Sequence, residues 1–150
     1  MLFSSPDTVS CDTANPTVRK AVLFVDDEKS YLELMAQLLG ENLNCTVLTY
    51  TRPEDAMAAL PGLDAAMIIT DYYMPSMNGL ELTQRASEIA PNVPVIMVTG
   101  HTIQISEEDY LRYPNLKVAL HKPFSWRMLA QQIIQHWREE NPPALPADYV

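Results

Sequence analysis

Short apolar runs, each followed by a polar side chain, are the feature that most constrains what this chain can fold into. The runs cover residues 21–25, 65–70, 95–98 and 116–120. The polar residues that follow them are Asp26, Asp27, Asp71, Thr99 and Lys122. Continuous apolar runs of this length are typical of strands buried on both faces of a parallel sheet. Because reactive groups in such sheets gather outside the carboxyl ends of the strands, we expect three carboxylates, a hydroxyl and an amine to share one crevice.

The charges of that crevice predict a reaction with an anion. Three close carboxylates raise each other's pKa unless a cation neutralises them. Mg2+ prefers oxygen ligands and typically takes one or two protein carboxylates together with water and phosphate oxygens. Lys122 adds a fixed positive charge, and Thr99 adds a hydroxyl donor for the same anion. A carboxylate in this setting is equipped to accept a phosphoryl group as an aspartyl phosphate.

Four short motifs at these positions are more specific together than any one of them is alone. They are Val-Asp-Asp-Glu at 25–28, Asp-Tyr-Tyr-Met-Pro-Ser-Met-Asn-Gly at 71–79, Thr-Gly at 99–100 and Lys-Pro-Phe at 122–124. In this order they resemble the receiver domain of two-component response regulators. The resemblance covers roughly residues 20–137, which is the length of one domain.

The resemblance implies a magnesium site and a phosphoacceptor. It makes Asp71 the phosphoacceptor and also a metal ligand, with Asp27 as a direct ligand of Mg2+. Asp26 supports the metal through water, and the backbone carbonyl of Tyr73 completes the protein ligands.

The resemblance also assigns the two remaining residues and the partners. Thr99 and Lys122 contact the phosphoryl oxygens, and the Lys122–Pro123 peptide bond is cis. The phosphoryl group comes from a phosphohistidine of a histidine kinase or phosphotransfer protein. The readout is a changed contact with a downstream protein or an output domain. Such a domain is a signalling phosphoacceptor rather than an enzyme, with self-phosphorylation from a phosphodonor and slow autodephosphorylation.

Three departures from the family pattern concern the switch rather than the phosphoacceptor. Receivers usually carry an aromatic residue three positions before the lysine, where this chain has Ala119. Tyr-Pro-Asn at 113–115 replaces a frequent Gly-Ala pair. The bulky residues Tyr73 and His101 occupy two variable positions beside the site. We therefore expect the phosphorylated state to be read through Thr99 and residues 100–114.

The same residues also allow alternative interpretations. Each aspartate taken singly is also a plausible helix N-cap or turn residue. An aspartyl-phosphate hydrolase of the haloacid dehalogenase type is disfavoured, because such enzymes carry D-x-D-x-T after the first strand. A flavodoxin-like cofactor binder is disfavoured because the first loop is acidic where a phosphate-cradling loop needs Gly and hydroxyls. A receiver-like interaction module that is not regulated by phosphorylation is a further alternative.

The composition excludes several classes of partner. Ten Lys and Arg against 19 Asp and Glu leave a net charge of -9, which argues against direct binding of nucleic acid or of an anionic membrane. The first residues lack the pattern of a signal peptide, and no apolar run approaches the roughly 20 residues of a membrane span. Cys11 and Cys45 suggest neither a disulfide framework nor a zinc site. A cytoplasmic location is the simplest expectation.

The order of elements predicts an α/β fold. Residues 1–19 are expected to form a flexible tail, residues 20–139 the receiver domain, and residues 140–150 a Pro- and Ala-rich tail. Five strands alternate with helices, as in a doubly wound parallel sheet with helices on both faces and the flavodoxin-like order 2-1-3-4-5. The first helix is expected to be ended by Gly40 and Asn42 and to bury Tyr31, Leu34, Met35 and Leu38. Ser106 is expected to cap a short helix that reaches about Arg112.

Overall fold

The computed structural model of the chain describes residues 20–100, 105–138 and 142–145. The predicted tail at 1–19, His101 and most of the predicted tail at 140–150 lie outside these residues. The strands are β1 (Ala21–Val25), β2 (Thr46–Tyr50), β3 (Ala65–Asp71), β4 (Val95–Thr99) and β5 (Leu116–His121). The helices are α1 (Lys29–Leu43), α2 (Pro53–Ala59), α3 (Gly79–Ile89), α4 (Glu107–Arg112) and α5 (Trp126–Gln135). A short 3-10 turn, Leu60–Gly62, follows α2.

The sheet confirms the predicted fold class and strand order. Its five strands are parallel and run in the order β2-β1-β3-β4-β5. Every residue of the three central strands is buried, whereas the two edge strands are partly exposed. Helices cover both faces of the central strands, so side chains on both faces are buried. This burial explains why the sequences of these strands are continuous apolar runs.

Two hydrophobic clusters lie on opposite faces of the sheet. Leu23 and Val25 of β1 pack on the side of α2 and α3, in one cluster. Val22 and Phe24, the alternate residues of the same strand, pack against α1 and α5 in the other cluster. This alternation follows from the period of two residues in a strand.

Among the described residues, none of the helices combines the length and apolar composition that crossing a membrane requires.

The predicted buried face of α1 is partly wrong. The side chains that are buried are Leu32, Met35, Leu39 and Leu43, and Leu34 is 57% exposed. The helix also continues past Gly40 and Asn42 to Leu43, and its C-cap residue Asn44 adopts a left-handed conformation with φ of 54°. Apolar residues on α1 satisfy the helical period on two adjacent faces, so periodicity alone does not select the face that meets the sheet.

Side-chain caps begin α3, α4 and α5, and the cap of α4 is the one that the sequence predicts. Ser106 accepts a hydrogen bond from the Asp109 N–H and caps α4, as the sequence indicates. Asn78 caps α3 in the same way, with the Glu81 carboxylate accepting the Asn78 N–H. This second capping box holds the loop after β3 to the start of α3, and its Asn-x-x-Glu spacing is a signal in the sequence.

Candidate functional site

The polar residues predicted to converge lie at the carboxyl ends of β1, β3, β4 and β5. Asp26 directly follows β1, Asp71 ends β3 and Thr99 ends β4. Lys122 follows β5, and its backbone N–H donates to the Thr99 carbonyl at 2.7 Å. Because β1 and β3 are neighbours in the sheet while their connections leave in opposite directions, this is the point where the strand order reverses.

Three carboxylates form the centre of the site. Oxygen atoms of Asp26, Asp27 and Asp71 all lie within 4.8 Å of one another. Asp26 is fully buried and Asp71 is 7% exposed, whereas Asp27 is exposed. Solvent therefore reaches the cluster mainly at Asp27, while Asp26 and Asp71 are buried.

Backbone N–H groups orient the two buried carboxylates. The Glu28 N–H donates to one oxygen of Asp26 at 2.9 Å, and the Tyr72 N–H donates to one oxygen of Asp71 at 2.8 Å. Each donor follows its carboxylate closely in the chain, two residues later for Asp26 and one residue later for Asp71. The second oxygen of Asp26 accepts from Lys122, whereas the second oxygen of Asp71 accepts no hydrogen bond from the described residues and can serve a cation or a reaction.

Lys122 binds the acidic cluster through Asp26. Its Nζ atom lies 2.9 Å from Asp26 Oδ2 and 3.4 Å from Glu28 Oε1. The lysine side chain is only 15% exposed. One ammonium group thus faces several carboxylates and leaves the site with an excess of negative charge.

Burial is the largest cause of the pKa shifts of the two buried carboxylates, and neighbouring carboxylates add to it. Burial and then the charge of Asp26 raise the pKa of Asp71 to about 6, even though Lys122 acts in the other direction. Burial raises the pKa of Asp26 despite its bonds to Glu28 and Lys122. Burial alone would lower the pKa of Lys122, but the hydrogen bond and charge of Asp26 raise it overall. The ammonium stays charged, while the carboxylates are held in a state that favours an added cation.

A glycine allows α3 to start close to the phosphoacceptor candidate. A Cβ atom on Gly79 would lie 2.8 Å from the Asp71 carbonyl oxygen and 3.1 Å from both the Tyr72 Cα and the Met97 Cε. The Gly79 N–H also donates to the Tyr72 carbonyl at 2.8 Å. No larger residue fits this approach without moving the end of β3.

The family comparison settles what kind of domain carries this site. The family model of the response regulator receiver domain matches residues 22–134. The chain belongs to the response regulator receiver family. The resemblance carried by the four motifs is thereby confirmed, and the domain is the receiver of a two-component response regulator.

Individual relatives of this receiver agree in sequence and in fold. The response regulator receiver protein CpdR of Brucella abortus is 29% identical over 114 residues, which cover 76% of this chain and 93% of CpdR. The C4-dicarboxylate transport transcriptional regulatory protein DctD of Rhizobium meliloti is 35% identical over 81 residues. That match covers 54% of this chain but only 17% of DctD, so the receiver spans a small part of this longer relative.

A solved receiver structure has the same fold. The CheY-like response regulator receiver domain protein of Methanospirillum hungatei superposes with a TM-score of 0.69 and is 26% identical. The superposition covers 79% of this chain and 93% of the other chain.

Two residues at this receiver's site were not recognised from the sequence. The sequence shows Glu28 only as part of a motif, and its periodicity predicts Tyr31 on the buried face of α1. In the structure Glu28 reaches Lys122, and the Tyr31 ring lies 4.1 Å from Lys122 Nζ. The available signal was their spacing, because residues 28 and 31 share one face at the start of a helix that follows the acidic pair.

The remaining predicted positions lie around this site. The Lys122–Pro123 peptide bond is cis, as the resemblance implies. Tyr73 is 51% exposed, and its ring meets Tyr72 edge-on at 4.8 Å between centroids. Ala119 is partly buried in β5, on the face of the sheet where Tyr110 also packs. The metal role of the Tyr73 carbonyl stays a prediction.

Proposed function

We propose that Asp71 accepts a phosphoryl group from a phosphohistidine of a histidine kinase or phosphotransfer protein. The phosphorylated domain then signals through altered contacts with a downstream protein. The observation that carries this proposal is the convergence of Asp26, Asp27 and Asp71 within 4.8 Å, with Lys122 bound to Asp26. Membership of the receiver family supports the same reaction.

Asp71 is the proposed nucleophile because one of its oxygens remains available. The Tyr72 N–H holds one carboxylate oxygen at 2.8 Å. The other oxygen attacks the phosphorus atom, so that an O–P bond forms while the P–N bond to histidine breaks. The electron pair of that bond leaves with the imidazole nitrogen. Lys122 and Thr99 donate hydrogen bonds to the phosphoryl oxygens, where negative charge has to be stabilised.

The donor set fits Mg2+. The oxygens of Asp26, Asp27 and Asp71 are hard ligands, and burial followed by the charge of Asp26 raises the pKa of Asp71, so that a nearby cation would favour the ionised carboxylate. Asp27 and Asp71 are proposed as direct ligands with the Tyr73 carbonyl, and Asp26 as a ligand through water. A bound Mg2+ supplies positive charge for the phosphoryl oxygens.

The phosphoacceptor is tested by mass spectrometry of the intact protein after incubation with Mg2+ and phosphoramidate. We expect one added phosphoryl group in the wild type and none in Asp71→Asn, because the amide is not a nucleophile for phosphorus. Asp64→Asn, at the opposite end of β3, is the matched control and is expected to be labelled normally. Undiminished labelling of Asp71→Asn would contradict the assignment.

The metal site is tested without a phosphodonor, by following amide NMR shifts during a Mg2+ titration. Removing one hard ligand from a site with few protein ligands is expected to weaken binding about tenfold or more in Asp27→Ala. Glu107→Ala removes an exposed carboxylate of α4 and serves as the control. Equal affinity in Asp27→Ala and the wild type would exclude Asp27 as a ligand.

The readout is proposed to run through Thr99 and residues 100–114, since Ala119 offers no aromatic side chain to rotate. A phosphoryl group that attracts the Thr99 hydroxyl biases the chain that follows β4 between two arrangements. NMR shifts with and without a phosphoryl mimic test this proposal. Changes are expected in α4, and shifts confined to the acidic cluster would contradict it.

A further inference from the structure

Tyr31 lies against the ammonium group of Lys122. The Nζ atom is 4.1 Å from the centroid of the Tyr31 ring, a distance at which a cation is attracted to the face of an aromatic ring. The fully buried ring of Phe24 in β1 meets Tyr31 edge-on, with 6.4 Å between centroids and 85° between ring planes. The ring that faces the ammonium is thus held in place by the core.

The ring attracts the Lys122 ammonium but offers it no oxygen or nitrogen acceptor. An ammonium group has three N–H donors. Within the described part of the chain, two acceptors reach it, Asp26 Oδ2 at 2.9 Å and Glu28 Oε1 at 3.4 Å. A third carboxylate or carbonyl in place of the ring would take the remaining donor. The aromatic face leaves that donor for an anion.

We propose that Tyr31 is a positioning residue for phosphoryl transfer, whose ring holds the Lys122 ammonium beside Asp26 with a donor left for the incoming phosphoryl group. This inference rests on the proposed function of Asp71 and Lys122. Lysine has a flexible four-carbon stem, so its charge needs a fixed surface to stay at one point. Leu or Met would fill the volume of the ring but would offer no negative face.

The ring rather than the hydroxyl carries this role. The Tyr31 hydroxyl is buried and makes no hydrogen bond to the residues that the structure describes. Its burial raises the pKa of Tyr31 to about 12, so the phenol is neutral at physiological pH. Tyr31→Phe therefore preserves the proposed contact, whereas Tyr31→Leu and Tyr31→Met remove it.

The first measurement is the rate of labelling by phosphoramidate as a function of Mg2+ concentration. In this reaction an Asp71 oxygen bonds to phosphorus, the P–N bond breaks, and nitrogen leaves with the electron pair and takes up a proton to form ammonia. At saturating Mg2+ we expect Tyr31→Leu and Tyr31→Met to react about tenfold more slowly, with the half-saturating Mg2+ concentration little changed. Tyr31→Phe is expected to restore most of the rate.

Trp137→Leu is the matched control, because Trp137 packs in the same hydrophobic cluster as Tyr31 but follows the C-terminal end of α5, whereas Lys122 precedes its N-terminal end. Its labelling rate is expected to stay within about twofold of the wild-type rate, well short of the tenfold loss expected for Tyr31→Leu. Wild-type rates in both ringless variants would overturn the role of Tyr31. So would a Tyr31→Phe variant as slow as Tyr31→Leu, since the ring would then not be the group that matters.

The second measurement does not depend on phosphorylation. The ring current of Tyr31 should displace the NMR signals of the Lys122 ε-methylene protons in the metal-free protein. We expect Tyr31→Phe to retain that displacement and Tyr31→Leu to lose it, and a displacement independent of the ring would overturn the inference. If instead the displacement is present but wild-type Asp71 takes no phosphoryl group, the proposed function itself is wrong.

Discussion

Two lysine–aspartate pairs lie at opposite ends of the sheet and differ mainly in their surroundings. At the amino end, Lys20 Nζ is 2.7 Å from Asp64 Oδ1, and the two side chains are 26% and 36% exposed. At the carboxyl end, Lys122 Nζ is 2.9 Å from Asp26 Oδ2, with exposures of 15% and 0%. The contact distances are similar, so distance does not explain why only the carboxyl end is suited to binding a metal ion and a phosphoryl group. The two ends differ instead in burial and in the balance of neighbouring charges.

The charge balance is reversed between the two ends. Asp64 faces a second cation as well, since Arg138 Nη1 lies 3.9 Å from the same oxygen and donates to the Ala65 carbonyl at 3.0 Å. Lys122, in contrast, faces the whole acidic cluster. The amino end is a neutralised structural contact, and the carboxyl end keeps a negative charge that a metal ion and a phosphoryl group can use.

The largest expected difference is in stability after removal of each lysine. Lys122→Met leaves the buried Asp26 carboxylate without its cation and is expected to lower the free energy of unfolding by about 3 kcal/mol. Lys20→Met breaks a half-exposed pair and is expected to cost under about 1 kcal/mol. Urea unfolding at pH 7.5 without divalent cations measures both. Equal losses would show that the two pairs do not differ in the way proposed.

A second contrast concerns two glycines. The Cβ of Gly79→Ala would meet the Asp71 carbonyl at 2.8 Å, whereas nothing lies within 4 Å of a Cβ on Gly62, just before the amino end of β3. Gly79→Ala is expected to lose about 2 kcal/mol of stability, because backbone atoms must move to relieve the overlap. Gly62→Ala is expected to be neutral or to gain a few tenths of a kcal/mol. A stable Gly79→Ala variant with normal labelling would disprove the close approach.

The smallest expected effect is a pH dependence at the carboxyl end. The pKa of Asp71 is about 6 in the folded protein, above its ordinary 3.8. Between these values the folded state keeps a proton that the unfolded state releases, so the free energy of unfolding falls as pH rises through this window. Asp71→Asn has no carboxyl group to titrate at this position, so it is not expected to show this fall in the free energy of unfolding.

The measurement compares Asp71→Asn with the wild type at pH 4 and pH 7.5 in the absence of Mg2+. The variant is expected to gain about 1 kcal/mol or more relative to the wild type between the two pH values. Asp64→Asn removes the partner of Lys20 and Arg138, so it is expected to lose stability at pH 7.5 instead. A relative stability of Asp71→Asn that does not change with pH would argue against a raised pKa of Asp71 in the folded protein.

The strand ends were predictable because their geometry is local and repetitive. A buried parallel strand requires a continuous apolar run, and the next residue lies at the edge of the sheet in every strand. Asp26, Asp71 and Thr99 are therefore placed by the ends of their runs alone. Their convergence then follows from the strand order, which the alternation of strands and helices predicts.

What the sequence determined by itself is the fold class, the strand order and the residues that meet at the carboxyl edge. Tertiary structure alone decided that Leu34 faces solvent, that Lys122 binds Asp26 and Glu28, and that the Tyr31 ring faces the ammonium. The reason is physical. The backbone period of a strand or helix is written in neighbouring residues, but the rotation of a helix about its axis and the conformation of a long side chain depend on atoms distant in sequence.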